Sequence, residues 1–173
     1  MELRRISSGA LAGAAAAAVW AAQQPLDKRV FDCDHDDVEL LGKLVTRGDA
    51  WPVAGVAFHL ANGALFGAAY SQARPFIPGP RPLRGALAAM LENAITWPLT
   101  GWNDRRHPAR GDLVALAGNR RALAQETWRH FLFGFVMGEL ERRLNAEDEF
   151  EPPEVPISSN GHGNIEHAAV GAT

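Results

Sequence analysis

Residues 50–73, AWPVAGVAFHLANGALFGAAYSQA, carry no charged side chain from one end to the other. A helix needs about 20 mainly apolar residues to cross a bilayer, so this stretch alone points to a membrane helix. Trp51 and Tyr70 lie near its ends, where amphipathic rings favour the interface with water. Within it Gly55, His59, Gly63 and Gly67 recur every fourth position and share one helix face.

Outward from this run, three more segments read as helices. Residues 6–26, ISSGALAGAAAAAVWAAQQPL, follow Arg4 and Arg5 without a charge. That start also has the form of a signal peptide, but the internal repeat needs the helix to stay. The helix expected near 84–102 contains the run 85–103, which is interrupted only by Glu92, bounded by Arg84 and Asp104, and carries Trp97 and Trp102 near the far end. Residues 123–144 hold a shorter apolar core, HFLFGFVMG at 130–138, with Glu126, Arg129, Glu139 and Arg142 around it. This core matches HLANGALFG at 59–67, so His130, Gly134 and Gly138 repeat the spacing of His59, Gly63 and Gly67. Gly9-Ala-Leu-Ala12 likewise recurs as Gly85-Ala-Leu-Ala88. These matches are compatible with a duplicated helical hairpin whose halves enter the membrane in the same direction. The connectors 27–49 and 104–126 would then share one face.

Asp36 and Glu39 have capping-box spacing, and Asp112 opens a second short apolar segment, DLVALAG. Short interfacial helices are therefore expected in the first and third connectors. RPFIPGPRPLR, residues 74–84, reads as a rigid proline-rich loop. The tail 145–173 is acidic, then rich in Ser, Asn, Gly and Ala, a composition that favours disorder. The expected fold is all-α: a four-helix integral membrane bundle over residues 1–144, seated as a multi-pass protein in a bacterial inner membrane.

Composition narrows the function classes. The net charge of -3 comes without a basic stripe, which argues against nucleic acid as a partner. One cysteine, Cys33, rules out an internal disulfide or a CxxC metal clip. Two lysines stand against fifteen arginines, a bias that suits a GC-rich bacterial genome. The mean hydropathy of -0.13 averages over local apolar runs and does not oppose a membrane setting. No GxxxxGK[ST], HExxH or GxSxG pattern occurs, so enzyme chemistry has no support and no cofactor is called for. The expected partners are the lipid bilayer and, through the glycine-rich helix faces, further copies of the chain.

His59, Asn62, Glu92, Asn93, His130 and Glu139 are costly in hydrocarbon and are expected to turn into the bundle. The leading expectation is a structural or accessory membrane role, with these groups forming a network that fixes helix register. Another is a small transporter or proton-coupled channel that uses Glu92 with His59 and His130. A third is haem or metal binding by the pair His59 and His130. The run DCDHDD, 32–37, reads as a solvated acidic loop that caps the next helix, since adjacent residues do not converge readily on one ion.

Overall fold

The computed structural model describes residues 2–146, and these are helical with no strand. The helices are α1 (Glu2–Phe31), α2 (Asp37–Val45), α3 (Trp51–Ala73), α4 (Arg84–Thr96), α5 (Thr100–Arg106) and α6 (Arg120–Leu144). Two segments, Leu3–Phe31 and Trp51–Phe76, are long and apolar enough to cross a membrane.

Several boundaries differ from expectation for local reasons. Helix α1 continues past Pro25 to Phe31, because Asp27 is held inside the bundle instead of opening a polar connector. The third segment is broken at 97–99, where Pro98 cannot donate a helical hydrogen bond and a 3-10 turn intervenes before α5. The first connector does contain the expected short helix: Asp36 Oδ1 accepts the Glu39 N–H at 2.9 Å at the start of α2. The third connector has no helix over 112–118. Five apolar residues between Gly111 and Gly118 are too few to repay helix nucleation. The Asp104 carboxylate instead takes the N–H groups of Leu116 and Ala117 at 3.0 and 2.8 Å. At the C-terminus Asn145 is not part of a loose tail: it is fully buried, and its Nδ2 donates to Glu141 Oε1 at 3.0 Å. The rest of the expected tail, 147–173, lies outside the described residues.

Small residues set the packing. Helix α1 lies against both α3 and α6, α4 against α6, and α2 against α3. Along α1 and α3, Gly9 faces Gly67 and Gly13 faces Gly63, so the two helices run antiparallel with their backbones in contact. Along α4 and α6, Gly85 fits against Gly134 and Gly138. The repeated sequence motifs thus make the same kind of seam in each half. Side chains here would overlap backbone carbonyls, which is why both seams are made of glycine. The glycines of these faces pack against backbone of the same chain.

Candidate functional site

The first and third connectors do share a face, and a buried charge cluster lies under it. At its centre is Arg129 of α6, whose side chain is 0% exposed. Its Nε and Nη2 donate to Asp27 Oδ2 and Oδ1 at 2.7 and 2.6 Å, a two-pronged grip on the last turns of α1. Its Nη1 donates to Asp37 Oδ2 at 2.6 Å and to Glu126 Oε1 at 3.1 Å, and Nη2 also reaches the His35 carbonyl at 3.0 Å. Gln125 Nε2 adds bonds to Asp27 Oδ1 at 2.7 Å and to the Cys33 carbonyl at 3.1 Å. One guanidinium therefore ties α1, α2 and the 32–36 turn to α6.

The 32–37 run is solvated only in part: Asp32 and Asp34 are exposed, Cys33 and His35 are buried. Asp36 caps α2 as expected, but His35 is 4% exposed and Asp37 points inward. The Asp37 N–H donates to Gln24 Oε1 at 3.0 Å, and Asp37 Oδ2 accepts from Trp20 Nε1 at 3.0 Å. His35 Nε2 lies 3.3 Å from Asp37 Oδ1 and 3.3 Å from Glu126 Oε1. Burial pushes the His35 ring down, but the two carboxylates outweigh it and raise the ring to about 10. Burial works in the opposite sense on Asp37, whose carboxyl is nonetheless held well below the usual range by His35 and Arg129. Asp36 is also lowered: its own burial is outweighed by Lys28 and the Glu39 N–H.

Beside this cluster α3 and α4 flank a cleft whose floor is α1 and α6. It is a cavity of about 220 Å³, and its wall contains Asp37, His59, Glu92, Glu126 and His130 but no lysine or arginine. His130 Nε2 sits 2.9 Å from Glu92 Oε2, and its Nδ1 is 2.8 Å from the Glu126 carbonyl oxygen. Both ring nitrogens thus face acceptors, an arrangement that requires a proton on each nitrogen or on Glu92. His59 and His130 both pack edge-on against Trp20, with ring centroids 5.2 and 4.8 Å away. With His130 engaged at both nitrogens, the two histidines do not present an open pair for haem.

Of the six polar residues singled out by sequence, four line this cleft: His59, Asn62, Glu92 and His130. Asn62 is exposed at its edge, and Glu92 keeps 39% of its side chain accessible. Asn93 is buried and lines an adjoining cavity of about 300 Å³, shared with His35, Asp37, Glu126 and His130. Glu139 stands apart, pairing with Arg142 and Arg143 at 2.9 and 2.6 Å. It lies nine residues beyond His130, which is two and a half helical turns and therefore the opposite side of α6. A second buried pair sits at the other end of the bundle, where Arg74 Nη1 donates to Glu141 Oε2 at 2.8 Å.

Sequence reasoning passed over Asp27, His35, Asp37, Glu126, Arg129 and Glu141. A usable signal existed on α6: Glu126, Arg129 and His130 fall at i, i+3 and i+4, which puts three ionisable groups on one face of the helix. No family model, curated protein or solved structure matches the chain.

Proposed function

We propose that this is a small multi-pass membrane protein that binds a cation in the cleft between its two halves and carries it across the bilayer. The membrane part of this reading is supported by an inverted distribution of side chains. Large apolar groups point outward, among them Leu11, Val53, Leu65, Leu91, Ile95 and Phe131, while the interior is built from alanine, glycine and paired charges. Exposed large apolar side chains in this number support a surface that meets lipid. Lipid supplies the partner for it, and buried polar groups on the inside are what a bundle in hydrocarbon requires. Alkaline carbonate extraction of membranes should leave the protein in the pellet; its release would mean a soluble or peripheral bundle.

The cation part rests on one observation: three carboxylates and two imidazoles converge on a half-open cavity that has no lysine or arginine in its wall, Arg129 holding Asp37 and Glu126 from behind it. The low dielectric of such a site strengthens the field of those carboxylates. Phe133 of its wall belongs to the apolar core with Ala12, Ala16, Tyr70 and Met137. In proteoliposomes, uptake of protons or of Mn²⁺ should exceed that of protein-free vesicles. Glu92→Gln should lower it about tenfold or more, since the charge at the cavity mouth is removed with little change in shape. No uptake of either ion by the folded protein would reject transport. A structural or accessory role is the second reading, favoured by the close glycine seams that hold each half together.

A further inference from the structure

The three groups His35, Asp37 and Glu126 come from two separate parts of the chain and each turns one donor atom to a common point, all within 4.8 Å of one another. Two edges of this triangle, from His35 Nε2 to Asp37 Oδ1 and to Glu126 Oε1, are 3.3 Å. Charge-assisted hydrogen bonds are shorter, about 2.7–2.9 Å. An edge of about 3.3 Å is instead what two ligands subtend when each lies about 2.0–2.1 Å from a tetrahedral metal ion. The rest of Asp37 is already fixed in place, and Glu126 Oε1 is steadied by Arg129 Nη1 at 3.1 Å. Asp37 Oδ2 accepts from Trp20 and Arg129, and the Asp37 N–H is held by Gln24, the outer support that ligands to a metal ordinarily have.

Charge and access point the same way. Asp27, Asp37 and Glu126 place three carboxylates around one guanidinium, Arg129, so two negative charges face a divalent ion once it takes the place of the proton on His35. Two cavities, of about 220 and 300 Å³, meet at Asp37 and Glu126 and give an ion a way in. His59 supplies an independent sign of a ligand. It is 7% exposed, lines the same cavity as Asp37 and Glu126, and its Nε2 has no hydrogen-bond partner among the described residues. A buried imidazole nitrogen without a partner is costly unless something in the cavity engages it.

We propose that His35 Nε2, Asp37 Oδ1 and Glu126 Oε1 form a site for one divalent first-row transition-metal ion of the zinc, manganese or iron class, with His59 close enough to meet it through a bound water. One imidazole with two carboxylates suits these ions, whereas magnesium and calcium prefer oxygen alone. The site stands whether or not the ion goes on to cross the bilayer, because binding is read in detergent without a membrane. A failure of flux leaves it intact, and a failure of binding leaves Glu92-dependent proton flux intact.

The test uses the full chain in detergent, stripped with a chelator and titrated calorimetrically with Zn²⁺, Mn²⁺ and Mg²⁺. One Zn²⁺ or Mn²⁺ should bind per chain, with Mg²⁺ at least about tenfold weaker. Glu126→Gln and His35→Gln should each weaken Zn²⁺ by about tenfold or more, and Glu39→Gln, which alters a half-buried pair with Lys43, should not. If those two variants fail to fold, pulsed EPR of Mn²⁺ on the unaltered protein decides, since coupling to one imidazole nitrogen is expected. The proposal is overturned if the folded protein binds no ion or binds Mg²⁺ equally well. It is also overturned if the folded variants bind as tightly as the original, or if the Mn²⁺ spectrum lacks the nitrogen coupling.

Discussion

Arg129→Met should cost about 3–5 kcal/mol of stability, the usual effect of removing one partner from a buried ion pair. The substitution keeps much of the volume, so the loss comes from Asp27, which is 1% exposed and would face no cation. Asp37 and Glu126 would lose a donor at the same time. Arg129→Lys should recover only part of the loss, because a single ammonium cannot repeat the paired bonds from Nε and Nη2 or span the distance to Asp37. Unfolding in detergent, followed by circular dichroism, gives both values. A methionine variant within about 1 kcal/mol of the parent would mean that water reaches these carboxylates and that the pair has surface character.

The second large effect belongs to the glycine seam. A Cβ at Gly13 would overlap the Gly63 carbonyl, so even Gly13→Ala must push α1 and α3 apart. Gly13→Leu should be worse, beyond the roughly 1–3 kcal/mol of ordinary overpacking, since the obstacle is backbone and cannot rotate away. Separating these helices also moves His59 and Trp20, whose rings are 5.2 Å apart at the cleft. Gly111→Ala is the comparison, because a Cβ there has nothing within 4 Å. The same unfolding measurement should show Gly111→Ala near the parent and Gly13→Leu far below it. Equal stability for the two would show that α1 and α3 do not approach as closely as their glycines allow.

The elements of this fold with local causes were legible in the sequence. The four-residue spacing of Gly55, His59, Gly63 and Gly67 required a shared face, and the glycines of that face do bury together. The Asp36 and Glu39 spacing identified the start of α2. Of the two histidines that the sequence set beside Glu92, it is His130 that meets it. The missed features depend on distant contacts. Asp27 and Arg129 lie 102 residues apart, and each stands beside other charges that made its segment resemble a helix end at the interface. His35 and Asp37 were hidden for another reason: in a run of five acidic or basic groups, alternate side chains of an extended segment point to opposite sides. Asp36, whose φ is -139°, turns to cap α2 while its two neighbours turn into the bundle.

The buried ion pairs have a further mechanical effect. Asp27 of α1 meets Arg129 of α6 at one end of the molecule, and Arg74 at the end of α3 meets Glu141 of α6 at the other. Both pairs join the first half of the chain to the second, and between them the halves touch mainly along α1 and α6. The arrangement is that of two leaves on one axle, pinned at both ends. Leaves held in this way can swing but cannot slide, so a change in the width of the cleft must come from rotation about α1 and α6, with the register of the helices preserved.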